Sequence, residues 1–128
     1  MRKQITAPGG PPPKGIYSPA IVADGPAVYL SGQGPVDPDG NLQLGSFAEQ
    51  ARLTFDNITL LLEAAGSTWA NVVRSGVFLA DLADFQEMNQ IYKEYLTEPY
   101  PARTTVQVGL PPGMLIEVDC IALLPGGK

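Results

Sequence analysis

The chain contains no histidine. This excludes the Ser-His-Asp and Cys-His triads and the usual zinc sites, which depend on imidazole. Acid–base chemistry is left to carboxylates, tyrosine, lysine or ordered water. There is one cysteine, Cys120, so an intramolecular disulfide is impossible, and a reducing compartment fits. No apolar run approaches the ~20 residues of a membrane helix. The opening Met1-Arg2-Lys3-Gln4-Ile5 leads into no apolar stretch of the signal-peptide kind. The expectation is a cytoplasmic protein with no membrane partner. Positive charge is scarce too: 8 Lys and Arg against 13 Asp and Glu give a formal charge of -5, with no basic cluster. Such a chain has no general attraction to a phosphate backbone, so no nucleic-acid partner is expected.

What is present is ordinary for a globular protein: 45% hydrophobic and 16% charged residues in 128. That length suits one domain, 1–128, with a two-layer core. The run Pro8-Gly9-Gly10-Pro11-Pro12-Pro13 admits neither helix nor central strand and reads as an extended loop. Ala27 to Gly32 reads as a strand ending at a glycine, and Asp37-Pro38-Asp39-Gly40 as a turn. Ser46 and Glu49 have capping-box spacing and start a helix. Ala51, Phe55, Ile58, Leu62 and Ala65 form its apolar face, and Gly66 stops it. Val72 to Leu79 is a strand with Val73, Ser75, Val77 and Leu79 on one face. Asp84 and Glu87 repeat the cap spacing, and Phe85, Met88, Tyr92 and Tyr95 stripe a second helix that Pro99 and Pro101 end. Strands follow at Thr104–Val108 and Leu115–Leu124, joined through the Pro111 to Gly113 turn.

Two amphipathic helices among strands imply one mixed sheet with both helices on one side. In the last strand Ile116, Val118, Cys120 and Ala122 share a face, while Leu115, Glu117, Asp119, Ile121 and Leu123 share the other. Both faces are largely apolar. Two helices cover one of them, so the second is expected to meet another subunit.

Two residues stand out chemically. Arg103 directly precedes a strand, where a fixed guanidinium can grip a carboxylate bidentately or simply join a surface ion pair. Glu117 lies inside the apolar Leu115-Ile116-Glu117-Val118. A carboxylate there must be paired, hydrogen-bonded or held neutral. That suits a residue activating water, and equally a structural bridge to Arg74 or Arg103. Tyr17, Asn89 and Ser31-Gly32 are further candidates. Tyr17 sits in a loop and can be packing. Asn89 can cap a backbone group or reach a ligand. Glycine at 32 can bring backbone amides close to a ligand or merely turn the chain. Cys120 faces away from Glu117 and reads as a buried small hydrophobe. No metal-binding spacing is present.

Together these residues resemble the RidA (YjgF/YER057c/UK114) family, along nearly the whole chain. The resemblance is carried by Gly15-Ile16-Tyr17-Ser18-Pro19-Ala20 and by Leu30-Ser31-Gly32-Gln33-Gly34-Pro35-Val36-Asp37-Pro38. It continues through Gln50-Ala51-Arg52, Asp56-Asn57-Ile58, Glu63-Ala64-Ala65-Gly66 and Val77-Phe78-Leu79-Ala80-Asp81-Leu82. Met88-Asn89-Gln90-Ile91-Tyr92, Pro101-Ala102-Arg103 and Ile116-Glu117-Val118 complete it. The resemblance implies a chorismate-mutase-like α+β domain forming a homotrimer, its sheets packed inward as a barrel-like core and its sites between subunits. It implies hydrolytic deamination of reactive 2-enamino or 2-imino acids, such as 2-aminoacrylate, to 2-keto acids and ammonia. Arg103 would hold the substrate carboxylate and Glu117 would position or activate water. Tyr17, Ser31, Gly32 and Asn89 would line the pocket, with Thr105 where many members carry cysteine. This chemistry requires no metal or organic cofactor.

The chain departs from the family pattern at Ile16, Pro19, Thr104 and Thr105, where Pro, Gln, Ser and Cys are frequent. These changes bear on the preference for the substrate side chain, not on the carboxylate grip. Three other functions compete: a non-catalytic keto- or amino-acid binding module, an endoribonuclease, and a pathway-dedicated deaminase with a different substrate. The unburied sheet face gives a direct expectation. Solution mass should be several times that of one chain, and a monomeric mass would remove the subunit contact.

Overall fold

The computed structural model describes residues 1–125; positions 126–128 of the expected domain lie outside the described residues. A long helix, α1 (Phe47–Ala64), is defined at both ends by short-range hydrogen bonds. The Glu49 amide donates to Ser46 Oγ at 3.2 Å, and the Ser46 amide donates to Glu49 Oε1 at 2.9 Å. This reciprocal pair satisfies two amides that would otherwise lack partners. At the other end Gly66 takes φ +83°, a conformation that costs a side-chain-bearing residue steric strain. Its amide donates to Glu63 O at 3.0 Å, and the Ser67 amide donates to Leu62 O at 2.7 Å. That is the Schellman arrangement.

The strands are β1 (Arg2–Ile5), β2 (Ala20–Ala23), β3 (Ala27–Gln33), β4 (Val72–Leu79), β5 (Ala102–Gln107) and β6 (Ile116–Leu123); α2 spans Phe85–Lys93. β1 and β2 pair antiparallel in a sheet of two. Neither was anticipated: β1 is short, and the periodicity of four-residue segments is too brief to read. The main sheet runs β3-β6-β4-β5, with β4 and β5 parallel and the other pairs antiparallel. Its open edges are therefore β3 and β5.

The alternation along β6 holds. Ile116, Val118, Cys120 and Ala122 are buried under the helices, and Glu117, Asp119, Ile121 and Leu123 are only partly covered. Ala51, Phe55, Ile58 and Leu62 of α1 are fully buried against this layer, and Ala65 is the C-cap. Phe55, Trp69, Tyr92 and Tyr95 form one aromatic cluster beneath both helices, with ring centroids 5.3–6.4 Å apart. Among the described residues, no helix covers the opposite sheet surface. Tyr29 there is 74% exposed, and Val106 and Phe78 share that face.

Several details differ from the sequence expectation. β3 runs one residue past Gly32 to Gln33, and β5 begins at Ala102 instead of Thr104, so Arg103 lies within the strand and not before it, because pairing with β4 extends back to Arg74. A bulge in β4 between Val72 and Arg74 shifts the alternation, so Val72 enters the core while Val73 is only partly buried. Asp84 occupies the N-cap of α2 but makes no side-chain capping bond. Asp81 Oδ1 accepts from the Ala83 amide at 2.8 Å instead, because a short 3-10 turn over Leu82–Asp84 precedes the helix. α2 ends at Lys93, so Tyr95 packs from beyond it. Replacing Ser46 with Ala should lower unfolding free energy by about 1 kcal/mol in a denaturant titration, with the slope unchanged.

Candidate functional site

β5 lies at an edge of the sheet, and its alternation decides where its side chains go. In register, Arg103 is opposite Ser75, Thr105 opposite Val77, and Thr104 opposite Gly76. Ser75 and Val77 are fully buried on the helix side, so Arg103 and Thr105 point into that layer. There Arg103 meets one stripe of α2. Phe85, Asn89 and Tyr92 are spaced at four and three residues, which places them on one helical face. The guanidinium carbon lies 5.6 Å from the Phe85 ring centroid and 5.2 Å from that of Tyr92, within cation–π range. Arg103 Nη1 donates to Asn89 Oδ1 at 2.6 Å.

Among the described residues, no carboxylate lies within 4.0 Å of Arg103. Burial lowers the pKa of its guanidinium, partly offset by the nearby phenols of Tyr92 and Tyr17. An arginine stays charged under such conditions. The side chain is thus a desolvated cation with one neutral hydrogen-bond acceptor and spare donors. None of its other nitrogens is both sealed from solvent and unpaired, so those donors remain accessible. The surface ion pair that was the alternative for this residue does not form among the described residues.

The loop carrying Tyr17 is tied to the segment before β5. The Ser18 amide donates to Pro101 O at 3.0 Å, and Ser18 Oγ donates to Tyr100 O. Tyr17 Oη accepts from the Lys14 amide at 3.3 Å. Tyr17 and Tyr100 line an open cleft of about 430 Å³ with Gln4, Pro13, Gly15, Glu98 and Pro99. Thr105 Oγ1 is sealed from solvent and has no hydrogen-bond partner, an uncommon state for a buried hydroxyl. Arg103 and Asn89 are thus in direct contact, Thr105 shares their side of β5, and the Tyr17 loop is tied to the segment that leads into that strand, its phenol near enough to Arg103 to act on its charge.

Glu117 does not join them. In the β6–β4 register it is opposite Phe78, on the surface away from the helices. It makes no ion pair with Arg74 or Arg103 among the described residues. Arg74 shares that surface but its Nη2 donates to Thr104 Oγ1 at 3.2 Å. The Glu117 carboxylate lies against Gly32 of β3, where even a Cβ would collide with it. The β3–β6 ladder is irregular here: Leu30 pairs with Cys120 and Gln33 with Val118, so β3 carries an extra residue. This bulge displaces Ser31 and Gly32 from regular pairing at the open β3 edge. Ser31, Gly32 and Glu117 form a second cluster, on the other face and toward the other edge of the sheet.

Sequence reading missed Phe85 and Tyr92, which it assigned to core packing alone, and Ser75, which accepts from Tyr92 Oη at 2.9 Å. The available signal was a polar residue, Asn89, on the same helical stripe as two aromatics. Cys120 is buried, and its thiol is pushed up to about 12 chiefly by that burial, so it is a poor nucleophile at neutral pH.

The family model described as Endoribonuclease L-PSP matches residues 8–124. A 2-iminobutanoate/2-iminopropanoate deaminase of Homo sapiens is 40% identical over 125 residues, 96% of this chain and 90% of the human one. A RutC family protein of Pyrococcus horikoshii is 41% identical over 124 residues, 95% of this chain and 98% of the archaeal one. Among solved structures, RidA from an Antarctic Psychrobacter bacterium superposes with a TM-score of 0.73 at 40% identity, covering 95% of this chain and 99% of that one. With its sequence matched over nearly its whole length and its α+β fold shared, the chain belongs to the RidA (YjgF/YER057c/UK114) family.

Proposed function

We propose that the protein hydrolyses reactive 2-imino acids, formed from enamines such as 2-aminoacrylate, to 2-keto acids and ammonia. The observation that carries this reading is Arg103, a half-buried cation on two aromatic rings with no carboxylate partner among the described residues. Such a group favours an incoming carboxylate, and its planar fork suits bidentate binding. The name of the human relative supports the choice of imine.

The chemistry is modest. With its carboxylate on Arg103, the substrate presents the adjacent C=N carbon to water. Oxygen bonds to that carbon, and a water proton passes through the Glu117 carboxylate to nitrogen. This opens the C=N π bond and gives a carbinolamine. Its hydroxyl proton then moves to the amino nitrogen, again through the Glu117 carboxylate, as the C–N bond breaks, ammonia leaves and the C=O bond forms. One water is consumed and no electrons are transferred. Fixing the geometry supplies much of the acceleration for a reaction this facile. No metal or organic cofactor enters the scheme.

Arg103 and Glu117 lie on opposite faces of one sheet, so this scheme needs two copies of the chain. The β5 edge of one copy would meet the β3 edge of the next. A head-to-tail contact of this kind closes as a ring when the rotation between copies divides a full turn. A ring of three is the homotrimer that the family resemblance implies, with the uncovered surfaces bearing Tyr29 turned inward. The sites would lie in the clefts between subunits.

One observation favours a second reading. The Arg103 cluster forms within one chain without Glu117, and a non-catalytic binding module would need no more than that cluster. Tight ligand binding without turnover would support that. An endoribonuclease is disfavoured by the charge of -5 and the lack of histidine.

The test is to generate 2-aminoacrylate with a serine or threonine dehydratase and follow pyruvate. Wild type should accelerate its formation. Arg103→Ala should lower kcat/KM by about a hundredfold or more while retaining its circular dichroism spectrum. Equal acceleration by the variant would defeat the proposed mechanism.

A further inference from the structure

We propose that Phe85 and Tyr92 are positioning residues that, with Asn89, hold the Arg103 guanidinium in place before any ligand arrives. The inference rests on the carboxylate-gripping role of Arg103 and goes beyond it by assigning the bed beneath that residue.

An arginine side chain is long, and a free one must lose rotamer entropy when it grips a ligand. The cost is incurred on binding unless the protein has already fixed the side chain. Here three contacts fix it. Phe85 and Tyr92 hold the cation at 5.6 and 5.2 Å from their ring centroids, and Asn89 Oδ1 accepts from Nη1 at 2.6 Å. All three come from one stripe of α2, so they move as a unit. Tyr92 is itself fully buried, and its hydroxyl donates to Ser75 Oγ at 2.9 Å. Ser75 is the register partner of Arg103 across the β4–β5 pair. The ring that supports the guanidinium is thus anchored to the strand beside it. Burial pushes the Tyr92 phenol up to about 12, so it remains neutral across the working range.

The choice of partners matters. A carboxylate at position 85 or 92 would also orient Arg103, but would neutralise it and compete with the ligand. Aromatic faces and an amide oxygen orient the cation and leave its charge unmatched. This combination keeps the guanidinium ordered and also available to an anion.

The test compares wild type with Phe85→Leu, Phe85→Met and Phe85→Tyr. Each variant is first checked for wild-type circular dichroism and solution mass. The dissociation constant of 2-oxobutanoate is then measured by calorimetry, and KM and kcat in the coupled imine assay. Phe85→Leu and Phe85→Met should weaken 2-oxobutanoate about three- to tenfold. KM should rise in parallel, with kcat changing less than about twofold. Phe85→Tyr, which keeps the aromatic face, should restore both. A purely structural role would not produce this KM-against-kcat split or this rescue. Two folded aliphatic variants that bind 2-oxobutanoate as tightly as wild type would overturn the proposal and leave the deaminase reading standing. Wild type that binds 2-oxobutanoate but turns over no imine would sink the deaminase reading, and the binding comparison would still decide the role of Phe85. Wild type that binds no carboxylate would overturn both.

Discussion

The alternation of side chains along β6 sends Ile116, Val118, Cys120 and Ala122 under the helices and Glu117 and Asp119 to the opposite surface. A strand has only two faces, and this one uses them for different purposes. The first face is a dry core with α1 and α2 packed on it. The second has no helix on it among the described residues, yet carries Tyr29, Phe78 and Val106 beside its carboxylates. The same alternation in β5 sends Arg103 and Thr105 to the helix side. The separation of the two candidate clusters follows from these strand parities, and a single chain cannot undo it without a slip in register that would expose the core.

Desolvation then gives the β5 cluster its character. A half-buried guanidinium usually gains a carboxylate; Arg103 has aromatic rings and an amide oxygen instead. The arrangement leaves attraction unspent, and an anionic ligand can use it. At the β3 edge the corresponding feature is steric. Gly32 allows the Glu117 carboxylate to lie flat against the strand, beside a bulge that frees backbone from the ladder. Each cluster is built from short-range features of its own strands, and an assembly of copies would combine them.

The parts legible from sequence were those set by local chemistry. The Ser46–Glu49 box, the stop at Gly66, the apolar face of α1 and the alternation of β6 depend on spacing alone. Glu117 stood out because a charge among apolar neighbours needs an explanation, and Arg103 because a guanidinium beside a strand can grip a carboxylate. The features that escaped depend on tertiary context. Nothing in Val72-Val73-Arg74 announces a bulge, because it arises from the pairing with β6. Asp84 has the cap spacing but lost the role to Asp81 once a 3-10 turn intervened. Phe85 and Tyr92 read as packing because helical periodicity cannot distinguish a core ring from one supporting a cation. The opposite placement of Arg103 and Glu117 required knowing the order of strands between them.

In the proposed ring, each site draws Arg103 from one chain and Glu117 from another. Subunit exchange between Arg103→Ala and Glu117→Gln chains tests it most directly. Each variant alone should be nearly inactive on enzymatically generated 2-aminoacrylate. When equal amounts are unfolded together and reassembled, random mixing leaves both side chains intact at about a quarter of the sites in a ring. Pyruvate formation should recover to roughly that fraction of wild type. A mixture no more active than the sum of its two inactive components, despite verified exchange, would contradict the shared site.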